Sequence, residues 1–313
     1  MDLVLVNAFI ALQIAGTLGF LIISLTALFD SRVVRHPTWF SFCFSWVVWG
    51  ISFSLLFFSG QQAHITSQPL CIAQSALVYT MPHLAGLTSV ALVVYLFLNV
   101  RSSLISVSST KRQPWSQLTS LALLLVPWFL GVVVFVSFLA YAIKHPGHVQ
   151  LSHNGTYCVI VDSFLPKITA ATGMAMSMTV LLLEGMCTRS SHPLELTSLK
   201  VVIGTILYKH RSSIDGFPQS VSLGIQLVIF TAVALCGVVL GLVFVITRTR
   251  GAPFDIMLGA IPVATSIIFG SQRDLVLSWM FWKPRMAMVH PSQQSGSSLG
   301  ELSSIESIAI VVR

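Results

Sequence analysis

Residues 71–99 read CIAQSALVYTMPHLAGLTSVALVVYLFLN and contain no Asp, Glu, Lys or Arg. The hydrocarbon core of a bilayer is ~30 Å thick, and a helix of ~20 apolar residues crosses it. This stretch is longer than a crossing requires. It therefore predicts a membrane-spanning helix, and the rest of the chain can be read outward from it.

The composition agrees with a membrane protein. Of the 313 residues, 55% are hydrophobic and 9% are charged, with a mean hydropathy of +0.85, whereas charged residues make up about 25% of an ordinary globular domain. The net charge of +7 comes from basic residues in short loops between apolar runs. Such loops suit the anionic surface of a bilayer and do not form the basic face that nucleic-acid binding needs. No cleavable signal peptide is expected, because the first apolar run lacks a basic segment before it.

Seven apolar stretches are long enough to cross a bilayer, and no repeat or second domain is visible. The sequence predicts an all-α membrane protein, a seven-helix bundle over residues 1–282. The Ser/Gly-rich tail 283–313 is expected to be disordered and cytoplasmic. The predicted spans are 4–29, 38–60, 71–99, 118–143, 164–187, 221–247 and 254–279.

The basic residues predict the orientation. With the N-terminus outside, thirteen of the seventeen Lys and Arg residues fall in inner segments, as the positive-inside rule requires. The outer four are Lys144, Lys167, Arg248 and Arg250. The inner ones include Arg32, Arg35, Arg101, Lys111, Arg112, Arg189, Lys200, Lys209, Arg211, Arg273, Lys283, Arg285 and Arg313. The expected topology is multi-pass in the plasma membrane, with an extracellular N-terminus and a cytoplasmic C-terminus.

The polar island HNGTYCVIVD, residues 153–162, lies in the loop that this topology places outside. Asn154 begins an Asn-Gly-Thr sequon, so N-glycosylation is expected there. Cys71, at the start of span three, and Cys158, in this loop, are the two of five cysteines that fall in or beside outer loops. The outside is oxidising, so a disulfide between them is expected, with two free thiols as the alternative.

These features resemble the G-protein-coupled receptors. The phrases RHPTWFSFCFSWVVWGISFSLLFFSGQ (35–61), LCIAQSALVYTMP (70–82) and IIFGSQRD (267–274) are similar to those of fungal receptor-like seven-span proteins. The resemblance implies a receptor for an extracellular small molecule or peptide that signals to a heterotrimeric G protein. Span three ends in Leu98-Asn99-Val100-Arg101 where rhodopsin-like receptors have Asp/Glu-Arg-Tyr. Spans six and seven also lack Cys-Trp-x-Pro and Asn-Pro-x-x-Tyr.

Candidate ligand-binding residues lie in the outer half of the spans. Ser75, Tyr79 and His83 recur at every fourth position, so they share one helix face beside Pro82. They either line a ligand pocket or bond to neighbouring helices. Asp255 and Lys167, at outer helix ends, either pair, bind ligand or anchor their helices at the interface.

The inner half predicts a surface for a G protein. Asn99 and Arg101 end span three there, and Lys209 and Arg211 form a basic cluster before span six. After span seven, GSQRDLVLSWMFWKP (270–284) predicts a short amphipathic eighth helix on the inner membrane surface.

Catalysis is not expected, and neither a metal nor another cofactor is implied. Span seven has no lysine for a retinal Schiff base, and His83 is the only histidine deep in a span, so no metal-ligand cluster is visible. No Gly-rich phosphate loop or nucleophile–base pair appears. The alternative to a receptor is a small-solute transporter or a membrane scaffold without G-protein coupling.

The inner segment GMCTRSSHPLELTSLK, residues 185–200, interrupts the apolar helix pattern of span five. It is either a third inner loop or a retained intron, because without it the flanking pieces fuse into one amphiphilic helix. The retained-intron reading predicts an irregular, poorly packed excursion at 185–200, at the cytoplasmic end of span five.

Overall fold

The computed structural model describes residues 3–30, 33, 35–61, 67–106, 117–161, 164–191, 231–232, 235, 237–239, 242 and 252–279. Over these residues the chain is mostly helical, with one short β-hairpin. In chain order the elements are α1 (Leu3–Phe29), α2 (Pro37–Phe53), α3 (Leu55–Phe58), α4 (Gln68–Ser106), α5 (Gln117–Lys144), β1 (Val149–Leu151), β2 (Cys158–Ile160), α6 (Leu165–Ser191), α7 (Ala252–Gly270) and α8 (Arg273–Trp279).

Four of the described helical segments are long and apolar enough to cross a membrane: Leu3–Phe29, Gln68–Asn99, Gln117–Lys144 and Leu165–Met186. They coincide with the predicted first, third, fourth and fifth spans. On α5, Leu121, Leu125, Phe129 and Val133 are exposed side chains along one face. A continuous apolar face of this kind is compatible with contact with lipid. The chain is thus a helical protein with the properties of a membrane protein.

The predicted second span is broken. It was expected to run unbroken over 38–60, but α2 ends at Phe53 and the short α3 follows after Ser54. The amide of Gln74, on α4, donates to the carbonyl oxygens of Ser52 and Phe53, both at 3.2 Å. The polar partner on the neighbouring helix satisfies carbonyls at the end of α2, which removes the need for the helix to continue.

The predicted seventh span is also divided. The sequence predicts a span over 254–279 and, overlapping its end, an eighth helix over 270–284; in the structure α7 ends at Gly270 and α8 begins at Arg273. Helix α8 corresponds to the predicted eighth helix and is fixed to the end of α1. The indole nitrogen of Trp279 donates to Thr26 Oγ1 at 2.9 Å, and Ser278 donates to the carboxylate of Asp30.

The segment 185–200 differs from the prediction where it is described. Helix α6 continues to Ser191, so an irregular excursion over 185–191 is wrong. A helix satisfies its own backbone hydrogen bonds, so it extends past the apolar sequence without needing new packing partners. Residues 192–200 lie outside the described residues, as do most of the predicted sixth span and the tail 283–313. The described residues of 221–247 are helical.

Helix α4 lies at the centre of the packing, in contact with α2, α5 and α6, while α1 packs between α2 and α7. Small residues allow the close approaches. A Cβ on Gly16 of α1 would lie 2.5 Å from the Cβ of Pro262 on α7. Polar contacts are internal: Ser45 Oγ of α2 and Thr88 Oγ1 of α4 are 2.9 Å apart. These contacts place α2, α4, α6 and α7 around a common interior.

Candidate functional site

The hairpin covers one end of the bundle. Strands β1 and β2 are antiparallel, with Leu151 opposite Cys158. A disulfide joins Cys158 to Cys71 at the start of α4, with Cα atoms 5.3 Å apart. The Cys158 amide also donates to Gln74 Oε1 at 3.0 Å, and the Tyr79 hydroxyl donates to the Ile160 carbonyl at 3.3 Å. Strand β2 is therefore fixed to α4, and the pairing expected from the sequence is present.

A second attachment holds the turn of the hairpin to α7 and is called the latch: Asn154, Thr156, Tyr157 and Asp255. One carboxylate oxygen of Asp255 accepts from Asn154 Nδ2 at 2.8 Å and Thr156 Oγ1 at 2.9 Å. The other accepts from the Tyr157 hydroxyl at 3.2 Å. Gly155, at φ +76°, allows the tight turn. Because Asp255 is 1% exposed, these donors take the place of water around its carboxylate.

The latch changes the interpretation of two predicted ligand residues. Asp255 holds the hairpin, whereas Lys167 is an exposed side chain of α6. No ion pair joins the two, although both belong to the described part of the chain. The side chain of Asn154 is half-buried, and its Nδ2 is the nitrogen that a glycan would occupy. Glycosylation at Asn154 remains a prediction and has to coexist with the Asp255 contact.

Below the hairpin lies a cavity of about 230 Å³. Its described walls come from α2, α4, α6 and α7, with Gly237 between α6 and α7 in the sequence. Tyr157 and Val159 of the hairpin also line it and are themselves buried. Eight of the lining residues are aromatic, among them Trp46, Trp49, Phe53, Phe254 and Phe269. The arrangement is that of a small-molecule site, which is typically concave and apolar.

The predicted polar stripe on α4 contributes one residue to the cavity wall. Tyr79 lines it, but Ser75 and His83 do not. Ser75 Oγ donates to the Ile72 carbonyl at 2.9 Å within its own helix. His83 Nδ1 lies 3.0 Å from the carbonyl oxygen of Tyr79, and His83 Nε2 lies 2.7 Å from Thr172 Oγ1 of α6. His83 thus joins α4 to α6, which was the structural alternative for this stripe.

The aromatic wall of α2 was missed at the sequence level, although a signal was present. Trp39, Phe42, Trp46, Trp49 and Phe53 are spaced by three and four residues alternately, so they form one helix face. All five are buried, and all but Trp39 line the cavity. In a chain this apolar, a stripe of aromatic residues differs little from its surroundings, whereas a polar stripe does. The ligand-binding residues were therefore predicted on α4.

The opposite end of the bundle carries a polar cluster around Arg35. Its guanidinium forms an ion pair with Asp274 of α8, donates to Gln272, and lies 5.6 Å from the centre of the Trp39 ring. Next to it, the His36 ring stacks on Tyr95 of α4 with centroids 3.9 Å apart. Burial lowers the pKa of His36, so the neutral ring is favoured in this stack.

The residues predicted to face a G protein are described only in part. Asn99 is half-buried near the end of α4, towards the Arg35 end. Arg101 belongs to the same helix, but its side chain lies outside the described residues. Lys209 and Arg211 also lie outside them. Their grouping at this end remains a prediction.

Comparison of the chain with known protein families and with curated proteins finds no match in either set.

Proposed function

We propose that this protein is a receptor of the G-protein-coupled type, with seven spans and an extracellular N-terminus. In this proposal the apolar cavity holds an extracellular small molecule or peptide fragment, and the end around Arg35 faces a heterotrimeric G protein. The observation that carries it is the cavity of about 230 Å³ beneath a hairpin tied to α4 by the Cys71–Cys158 disulfide.

The uncharged, mostly apolar wall of the cavity favours a receptor over a transporter of polar solutes. On α4 the lining residues run from Val78 to Ser89, while the helix continues to Ser106. The aromatic rings of Phe42 and Phe269, 4.8 Å apart, pack at the deep end. No charged side chain lines the cavity among the described residues. A transporter of polar solutes needs a polar path that opens to both sides of the membrane. The described cavity wall offers hydroxyl groups but no charged group along such a path.

The coupling to a G protein is proposed from the basic residues at the Arg35 end. Thirteen Lys and Arg residues fall on the proposed cytoplasmic side, where they would complement an acidic partner surface and the anionic leaflet. Arg101, at the end of α4, is the residue proposed to contact the G protein in the active state.

Co-purification tests the proposal. The full-length protein, purified in lipid nanodiscs, is mixed with each fungal Gα subunit and its βγ partner in nucleotide-free buffer. The expected result is a complex with at least one Gα subunit that dissociates on addition of GTP analogue and is weakened by Arg101→Ala. The absence of any GTP-sensitive complex across all the Gα subunits would contradict G-protein coupling.

A further inference from the structure

We propose that the cavity binds an uncharged, mostly apolar small molecule with a polar group held by the hydroxyl of Ser177. This deepens the proposed ligand-binding role of the cavity and rests on it. It does not depend on coupling to a G protein.

Nearly every hydroxyl in the described wall already donates its proton within the protein. Ser89, Thr169 and Thr265 donate to the carbonyl oxygens four residues earlier in their own helices, at 2.7, 3.2 and 2.8 Å. Tyr79 donates to the Ile160 carbonyl and Tyr157 to Asp255. A ligand therefore finds no free proton on these five hydroxyls, and most of its body must be satisfied by apolar contact.

Among the hydroxyls of the described lining residues Ser177 is the exception, and the indole nitrogens of Trp46 and Trp49 in the same wall also have no partner. Ser177 lies on α6 in the cavity wall, half-exposed, and makes no hydrogen bond with the described residues. Its hydroxyl faces Gly237, where an added Cβ would lie 2.7 Å from Oγ. A hydroxyl can donate one hydrogen bond and accept others. Ser177 can thus bind a carbonyl, ether or alcohol group on a ligand, which fixes the ligand's orientation.

The charges exclude an ionic ligand on energetic grounds. The described wall carries neither a carboxylate nor a cationic side chain. The carboxylate of Asp255 is already bonded to three donors of the latch. Aromatic faces attract cations, but a buried ion without a partner of opposite charge still loses its hydration. A neutral ligand avoids this loss.

The space sets the size of the ligand. The cavity of about 230 Å³ is slightly below the ~300–1,000 Å³ that is common for small-molecule pockets. Gly173 lines it, and a Cβ there would meet no atom within 4 Å. A larger side chain at Gly173 would therefore occupy ligand space without displacing the wall. Gly185, on the same helix, is equally open but does not line the cavity, which makes it the matched control.

Photolabelling with a neutral probe tests the proposal. The purified protein in nanodiscs is titrated with a benzyl alcohol that carries a trifluoromethyl-diazirine group, and the sample is irradiated. The label on α6 near Met174 is then quantified by mass spectrometry. The benzylammonium and benzoate analogues have the same scaffold with a positive or a negative charge. We expect saturable labelling by the alcohol, and at least tenfold weaker saturable labelling by both ions.

The variants give the test its specificity. Gly173→Leu is expected to abolish saturable labelling and Gly173→Ala to reduce it, while Gly185→Leu leaves it unchanged. Ser177→Ala is expected to weaken the alcohol about tenfold and to leave labelling by the unsubstituted phenyl-diazirine unchanged. Intact Cys71–Cys158 disulfide and a monodisperse elution profile establish that each variant is folded.

Three results would overturn the inference. They are stronger saturable labelling by either charged analogue, saturable labelling of Gly173→Leu equal to wild type, and equal alcohol affinity for Ser177→Ala and wild type. Because no Gα subunit is present, saturable labelling without a Gα complex would reject the coupling and keep the ligand class. A Gα complex without saturable labelling would keep the coupling to a G protein and reject the proposed ligand class.

Discussion

The carboxylate of Asp255 shows how a single residue can determine the position of a whole segment. It accepts hydrogen bonds from Asn154, Thr156 and Tyr157, and it is 1% exposed. The sequence indicated only a charged residue at a helix end, because the donors lie about a hundred residues away and a local pattern cannot pair them. The same holds for Gln74, whose amide connects the end of α2 to β2.

Replacing Asp255 by Ala should therefore destabilise the protein. The three donors lose a charged acceptor, and hydrogen bonds to charged groups contribute ~1.5–3 kcal/mol each when one partner is removed. We expect a loss of at least ~2 kcal/mol in unfolding free energy, measured by thermal unfolding followed by tryptophan fluorescence. The control is Lys167→Ala, which removes an exposed charge. Equal melting temperatures for the two variants would contradict the latch.

At the scale of elements, the apolar runs predicted the four long helices but not every helix end. Helix α2 ends because Gln74 satisfies carbonyls there, and α6 passes through the polar residues 185–191 because its backbone needs no further partner. Both ends depend on tertiary contacts or on their absence, which hydropathy does not record. The Cys71–Cys158 pair was accessible from sequence because topology placed both thiols on one side.

The disulfide is expected to stabilise the hairpin on α4. Replacing Cys71 and Cys158 together by Ser should lower the unfolding free energy by ~2–4 kcal/mol, since the cross-link restricts the unfolded chain. The measurement is thermal unfolding with and without dithiothreitol. Wild type should be shifted to lower temperature by the reductant and the double variant should not. A double variant as stable as oxidised wild type would contradict this role.

The contact between α1 and α7 gives a second prediction for packing. In Gly16→Ala, the new methyl group would lie 2.5 Å from Pro262 Cβ and 3.0 Å from its carbonyl carbon. Rigid neighbours cannot move aside cheaply, so a loss of ~1–3 kcal/mol is expected. Gly147→Ala, where a Cβ meets no atom within 4 Å, is the control. Melting temperatures that do not separate the two variants would show that the helices are less tightly packed.

At the scale of the whole molecule, the proposed orientation follows from the distribution of Lys and Arg. An epitope tag before Met1 should bind antibody on intact cells, and a tag after Arg313 should bind only after permeabilisation. The positive-inside rule is the physical reason, because basic segments are retained on the cytoplasmic side. Reversed labelling would place the hairpin and its latch in the cytoplasm and would remove the basis for an extracellular ligand.

Guanine-nucleotide exchange tests the central claim most directly, namely that this chain is a receptor acting on a G protein. Nanodiscs with wild-type protein, Arg101→Ala or no protein are mixed with each Gα subunit of the host organism and βγ, and binding of a fluorescent GTP analogue is followed. The account predicts that wild type accelerates exchange on at least one Gα subunit above the protein-free rate, and that Arg101→Ala loses most of the acceleration. Exchange at the protein-free rate for every Gα subunit would contradict it.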